Sequence, residues 1–289
     1  MNIWKKLNKN ALSRAGEFLR EREETCVSAI SRFNAGITSH AWAVCKPGGG
    51  SSSISALLLY GKGLLFPVFH FSFGQNAQFK TAGLPLPFFL PMIFRNEPLH
   101  AAQGLADDMD MLEKALEKKE GFSSSKYEYE LRRLDYRERD FTVHFPAGLV
   151  IRRAETADIG KLFPLQAAYE TEEVLPRGAV FNPASCRKTL ETLVSEKTIL
   201  AAELDGVLVG KININAMSFN CFQIGGVYVL PEYRRRGIAR SMTAALIRKF
   251  APQKKCFTLF VKKANIPARK VYDSLGFIIT GDYRISYFG

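Results

Sequence analysis

Between Val227 and Arg240 the chain reads Val-Tyr-Val-Leu-Pro-Glu-Tyr-Arg-Arg-Arg-Gly-Ile-Ala-Arg. An apolar run ends at Pro231, a basic turn follows, and Gly237 with the small Ala239 opens an apolar stretch of helical spacing. The first turn of a helix presents N–H groups without intrahelical partners and carries partial positive charge. A pyrophosphate can sit there if the backbone is approachable. Gly237 and Ala239 keep that approach clear, and Arg234, Arg235, Arg236 and Arg240 add charge and forked donors suited to phosphate. Taken alone, the segment is equally a strand–helix crossover with a solvated basic turn.

Other residues narrow the chemistry. All four histidines, His40, His70, His100 and His144, precede residue 146. The second half therefore has no histidine base, no Ser–His triad and no His-ligated metal of its own, and no metal site is expected. The adjacent Glu172 and Glu173 could accept a proton, or simply end a helix in water. Cys26, Cys45, Cys186, Cys221 and Cys256 are dispersed, odd in number and without a Cys-x-x-Cys pair. That pattern argues against a disulfide framework or a zinc site and fits a reducing cytoplasm; Cys221 and Cys256 read as strand packing.

The elements that must position these residues follow from periodicity and turn chemistry. A length of 289 residues leads to an expectation of two domains, with Pro146-Ala147-Gly148 as the boundary between 1–145 and 149–289. In the first part, helical spacing spans Asn10–Phe33 and Leu99–Lys119, and strands are expected at Thr38–Cys45 and Lys126–Leu134. Ile54–Tyr60 and Leu64–Phe71 flank Gly61-Lys62-Gly63 as a hairpin, and Pro47–Ser53 reads as a loop. In the second part, strands are expected at Leu149–Arg153, Thr198–Leu204, Val207–Ala216, Phe222–Leu230, Cys256–Lys262 and Phe277–Tyr287. Helices are expected at Thr156–Glu173 with Thr156 as N-cap, Pro183–Glu196, Gly237–Phe250 and Ile266–Leu275. Asp205-Gly206 marks a hairpin turn. The resulting β-α-α-β-β-β-α-β-α-β order is that of an α/β sheet with helices on its faces.

Charge and hydropathy bound the partners. The formal net charge is +12, and basic proteins attract polyanions. Residues 1–145 carry 19 Lys and Arg against 16 Asp and Glu, and residues 146–289 carry 21 against 12. The excess thus lies with the basic turn. No apolar run approaches the roughly 18 residues that cross a bilayer, and Met1–Asn10 lacks the apolar core of a signal peptide. A cytoplasmic protein without a membrane partner is expected.

The Val227–Arg240 segment resembles the acetyl-CoA-binding motif of the GCN5-related N-acetyltransferase (GNAT) family, Q/R-x-x-G-x-G/A, with Arg234, Gly237 and Ala239 at its fixed positions. About 30 residues on, Asn265, Ala268, Tyr272, Gly276 and Phe277 match the family's second signature, N-x-x-A-x-x-x-Y-x-x-x-G-F. Two motifs in order and at the right distance are specific, and the resemblance covers Leu149 to Gly289. It implies a mixed, mostly antiparallel α/β sheet in which the domain's fourth and fifth strands splay to admit the pantetheine arm. By position, the N–H of Val227 would bind the acyl carbonyl, Tyr228 and Val229 would line the pantetheine arm, and the N–H groups of Arg236 to Arg240, Ile238 included, would hold the pyrophosphate. Asn265 and Ala268 would contact the cofactor, and Tyr272 would protonate the leaving thiolate or, on the plainer reading, pack. Many relatives carry Glu fourteen residues before the first motif glycine; here it is Gln223, so the base stays open between Glu172, Glu173, a water chain and a neutral amine.

The resemblance implies an N-acetyltransferase that uses acetyl-CoA and a primary amine without a covalent enzyme intermediate, acting as a monomer or homodimer. A non-catalytic acyl-CoA-binding module is the alternative. Nucleic acid is set aside because no aromatics interleave with Arg234–Arg240 and no recognised module is present. Residues 1–145 lack the cradle motif, yet their element order echoes the second half. That leaves a degenerate GNAT-like domain, which could shape the acceptor pocket or mediate dimerisation, beside an unrelated α/β domain.

Overall fold

The computed structural model describes residues 4–8, 12–45, 54–69, 90–117, 124–136, 144–253 and 256–288. The chain first forms β1 (Lys5–Lys6), α1 (Leu12–Arg20), α2 (Val27–Asn34), β2 (His40–Cys45), β3 (Ile54–Gly61), β4 (Leu64–Phe69), α3 (Leu90–Asn96), β5 (Ala101–Leu105), α4 (Ala106–Glu117) and β6 (Ser124–Asp135). It then forms β7 (Leu149–Arg153), α5 (Ile159–Tyr169), α6 (Pro183–Ser195), β8 (Ile199–Leu204), β9 (Val207–Met217), β10 (Cys221–Val229), α7 (Ile238–Phe250), β11 (Cys256–Lys262), α8 (Ile266–Ser274) and β12 (Ile278–Phe288). Among the described residues the order β-α-α-β-β-β-α-β-α-β thus occurs twice, so the echo noted in the sequence is a structural repeat.

The chain divides into two compact units, but not at a single point. One comprises Met1–Leu131, Phe260–Lys263 and Ile279–Gly289; the other comprises Arg132–Leu259 and Ala264–Ile278. Arg132–Tyr136 and His144 therefore count with the second unit, and the first takes its closing strand from the end of the chain. There β12 pairs antiparallel with β5, from Tyr283↔Leu105 to Tyr287↔Ala101. The core of the first unit gathers Trp4, Trp42, Tyr60, Phe69, Phe94 and Leu112 with smaller apolar neighbours.

Strand order in the second unit runs β11-β10-β9-β8-β7. The β8–β9 hairpin turns at Asp205 (φ 50°) and Gly206 (φ 81°); positive φ at both central residues is the geometry that Asp-Gly supplies at least cost. On one sheet face Leu162 of α5, Leu190 and Val194 of α6, and Ile199 and Ala201 of β8 form a cluster. The buried stripe of α7, including Met242, Leu246, Ile247 and Phe250, covers the other face.

Several expectations need correction. The Asn10–Phe33 helix is two helices with a short 3-10 turn at Glu23–Thr25 between them. Leu99–Lys119 begins as β5 and becomes helical only at Ala106; strand pairing of Ala101–Leu105 overrides the helical spacing there. Thr156 is not the N-cap: it lies in a 3-10 turn capped by Glu155, and Asp158 is the N-cap of α5. Glu155 and Asp158 form a reciprocal capping box around a 3-10 turn, and the helix ends as a π-turn over Glu170–Val174. Pro47–Ser53 lies outside the described residues. Most consequential, Cys221 and Cys256 form a disulfide. They face each other in register on the parallel β10–β11 pair at a Cα separation of 4.7 Å, a partner relation that their 35-residue separation hides in the sequence. Cys26, Cys45 and Cys186 are free thiols, so the cysteine argument for a reducing compartment does not hold.

Candidate functional site

The parallel pairing of β10 with β11 covers Cys221↔Cys256, Phe222↔Phe257 and Gln223↔Thr258, and stops. Beyond Gln223, β10 continues beside β9 alone. This is the splay the resemblance implied, with the disulfide at its closed end. Within the open part, β10 is irregular: Gly225 registers with Asn213 and Tyr228 with Lys211, so Gly226 and Val227 together oppose one residue of β9. Such a bulge re-aims the backbone. Gly226 carries it at φ +58°, where a Cβ would lie 1.7 Å from Asn213 Oδ1, so no other residue fits.

The cradle sits at the end of this strand. Gly237 is the N-cap of α7, in the left-handed region at φ 77°, and a Cβ added there would meet nothing within 4 Å. The first intrahelical bond runs from Ser241 N to Gly237 O at 3.0 Å, so the N–H groups of Ile238, Ala239 and Arg240 point out of the helix start without a ladder partner. Open space, orphan donors and three exposed arginines in a row (Arg234, Arg235, Arg236) fit a pyrophosphate.

Arg234 has a further task. Its Nε donates to Val229 O at 2.9 Å and its Nη2 to Glu172 Oε2 at 3.0 Å. The other Glu172 oxygen accepts from Tyr228 Oη at 2.6 Å. Burial alone would raise the Glu172 pKa, but the Tyr228 and Arg234 hydrogen bonds prevail and lower it. Tyr228 moves the other way, up to about 12, through burial and the donation to Glu172. Glu172 is thus a held carboxylate that ties the π-turn to β10. Arg236 Nη2 donates to Glu232 O at 3.3 Å, and its guanidinium lies over Tyr233.

The second signature forms the start of α8. Asn265 Oδ1 accepts from Ala268 N at 3.1 Å, the N-cap bond, worth about 1 kcal/mol. Its Nδ2 donates to Glu173 Oε1 at 3.2 Å. Tyr272 is buried on the same helix, with its ring 5.7 Å from that of Phe277. Burial first, then Tyr169 and Glu173, push its pKa well above the ordinary phenol value, which keeps it protonated. Gln223, at the splay point, is buried.

The sequence reading missed a polar cluster beneath the bulge. Lys211 is fully buried. Its Nζ donates to Gly226 O at 2.9 Å and to Asn213 Oδ1 at 3.3 Å and lies 4.6 Å from the Tyr169 ring centroid. Asn213 donates in turn to Asn215 Oδ1 at 3.2 Å. Two signals were present: the Gly225-Gly226 pair inside an apolar strand, which marks a bulge or close approach, and the alternation Lys211-Ile212-Asn213-Ile214-Asn215, a polar face on a strand buried on both sides.

The first unit repeats the splay without its opening. β4 and β5 pair in parallel only at Leu64↔Ala101 and Leu65↔Ala102. Past that point a Cβ on Gly104 would lie 3.1 Å from Pro67 O, and the cavity lined by Phe66–Val68 and Gln103–Leu105 holds about 10 Å³, room for about one water. Asp108 is half-buried there and accepts from Phe69 N at 3.3 Å; loss of hydration raises its carboxyl to about 7.

Residues 165–277 match the family model described as Acetyltransferase (GNAT) family; this segment is a GNAT domain, and acyl transfer is the general chemistry of its family. Solved structures extend the likeness in fold to the whole chain. A Drosophila protein superposes with a TM-score of 0.67 at 11% identity, covering 100% of this chain and 99% of its own. A GCN5-related N-acetyltransferase from Sphaerobacter thermophilus gives 0.61 at 13%, with 99% and 94% covered. A tandem GNAT protein from the clavulanic acid biosynthesis pathway gives 0.58 at 13%, with 99% and 97% covered. The first half shares in this likeness, so the chain has the fold of a tandem GNAT protein, the second domain carrying the cradle. No curated protein shows significant similarity to the chain. Among the described residues no helix is long and apolar enough to cross a membrane.

Proposed function

We propose that the second domain transfers an acetyl group from acetyl-CoA to a primary amine by direct attack. The observation that carries this is the coincidence of an open splay after Gln223 with an unobstructed helix start at Gly237 on the same strand–turn–helix unit. The N–H groups of Ile238, Ala239 and Arg240 bind the pyrophosphate, Arg235 and Arg236 add charge, and the splay receives the pantetheine arm along Val229. The Val227 N–H donates to the thioester carbonyl and stabilises the charge that develops on its oxygen. As the C–N bond forms and the C–S bond breaks, Tyr272, held protonated by burial, donates its proton to the departing thiolate sulfur. The proton of the attacking amine goes to Glu173 or a water beside it. Glu172, lowered in pKa and engaged at both oxygens, is the weaker acceptor and serves to hold Arg234 and Tyr228.

The carboxylates Glu170, Glu172 and Glu173 on one π-turn favour a cationic acceptor approaching from that side, against the basic balance of the rest of the domain. The test is release of free CoA thiol from acetyl-CoA over a panel of small amines, amino acids, polyamines and peptides. A non-catalytic acyl-CoA-binding module is the second reading. It draws on Gln223 at the position where many relatives place a base, and acyl-CoA binding with no release over the whole panel would select it.

A further inference from the structure

The bulge places one peptide group between the candidate oxyanion site and the buried lysine. Gly226 C=O and Val227 N–H belong to the same planar trans unit, so they point in opposite directions. Lys211 Nζ holds the carbonyl at 2.9 Å. The Val227 N–H is thereby turned away from Lys211. Neither Gly226 nor Val227 has a registered partner on β9 or β11, so the ladders do not fix this peptide plane. What fixes it is the Lys211 bond to the Gly226 carbonyl, at a position where no side chain would fit between Asn213 and Nζ. The Tyr169 ring lies over Nζ, and Asn213, backed by Asn215, accepts a second hydrogen bond from it.

We infer that Lys211 is the positioning residue of the acyl-transfer site, orienting and polarising the Gly226–Val227 peptide so that the Val227 N–H meets the thioester carbonyl. A donor at the carbonyl end of an amide strengthens the N–H at its other end, since hydrogen bonds in series polarise one another. A lysine in this place accomplishes what leucine or methionine could not: it satisfies a carbonyl that the bulge has removed from the sheet. Burying an amine at this depth is costly, and the bonds to Gly226 and Asn213 show where that cost is offset. The inference rests on the transferase reading above.

The test needs no acceptor amine. Acetyl-CoA labelled with ¹³C at the acetyl carbonyl is bound to wild type, Lys211→Met and Lys211→Gln, and the thioester stretch is read by isotope-edited infrared difference spectroscopy beside calorimetric affinities for CoA and acetyl-CoA. In wild type the stretch shifts to lower frequency than in water. In Lys211→Met most of that shift is lost, and the preference for acetyl-CoA over CoA falls about tenfold, the scale of one hydrogen bond. CoA affinity itself stays within about threefold, because the pyrophosphate cradle is untouched. Lys211→Gln, which keeps an N–H donor, retains part of the shift. A shift equal to wild type in a folded Lys211→Met overturns the inference and leaves the transferase reading standing. Wild type that binds neither ligand overturns both, and wild type that binds acetyl-CoA with the carbonyl at its aqueous frequency overturns the inference without any variant.

Discussion

Arg234, the first fixed residue of the phosphate motif, turns its Nε back onto the carbonyl of Val229, 2.9 Å away at the end of β10. Its Nη2 holds Glu172 on the π-turn at 3.0 Å. Arg234 therefore fastens the strand, the cradle loop and the acidic turn together in addition to supplying charge. Replacing it with methionine should weaken acetyl-CoA binding by about tenfold, as expected for loss of one charge-assisted network. It should also raise the Glu172 pKa, visible in a carboxylate-resolved NMR titration. An unchanged Glu172 titration would show that the pair does not persist in solution.

Tyr272→Phe removes only the hydroxyl. If Tyr272 delivers the proton to the thiolate, kcat should fall about 10²-fold or more while the KM for acetyl-CoA stays near wild type. Because burial raises its pKa, the wild-type profile should show no loss of activity from this group between pH 7 and 10. A kcat within about twofold of wild type would reduce Tyr272 to a packing role against Phe277.

Lys211 gives a stability signature with a definite sign. Loss of hydration lowers its pKa from 10.5 to about 7, with Glu170 and Cys186 opposing. Between those values the unfolded chain binds the proton and the native chain does not, so stability should rise with pH across that window. Below about pH 7 both states are protonated and the penalty of the buried charge is fully present. Urea denaturation of wild type and Lys211→Met from pH 6 to pH 10 should show the rise in the first and a flatter line in the second. Parallel curves would mean that Lys211 keeps its charge.

The disulfide predicts a thiol count. Denatured without reductant, the purified protein should expose three reactive thiols, Cys26, Cys45 and Cys186, and five after reduction. Closing a loop of this length is worth about 3–4 kcal/mol in the chain-entropy account, and a Cys221→Ser/Cys256→Ser double variant should lose stability on that scale. Five thiols before reduction would contradict the pairing.

The element order of the second half, the hairpins at Lys62-Gly63 and Asp205-Gly206, and the two GNAT signatures were legible because each rests on local chemistry: turn residues, caps and the spacing of apolar positions. What stayed hidden depends on partners distant in the chain. Ala101–Leu105 reads as helix until β12 is brought beside it, nearly 180 residues away by the Tyr283 to Gln103 hydrogen bond. Cys221 and Cys256 look isolated until β10 and β11 align. Lys211 drew no reading from the sequence because its partner Tyr169, on α5, is far away in the chain. The acidic pair Glu172 and Glu173 was visible as a candidate, but its division into one held carboxylate and one beside Asn265 required the positions of Arg234 and Tyr228.

The most direct test of the transferase reading is calorimetric titration with acetyl-CoA of wild type and of an Arg234→Glu/Gly237→Glu double variant, with thermal unfolding to confirm that both are folded. Wild type should bind with a dissociation constant on the order of micromolar, about −8 kcal/mol, and the variant should show no measurable binding, because carboxylates then occupy the mouth of the α7 N-terminus. A folded wild type that does not bind acetyl-CoA, or a variant that binds it equally well, would contradict the cradle and with it the proposed reaction.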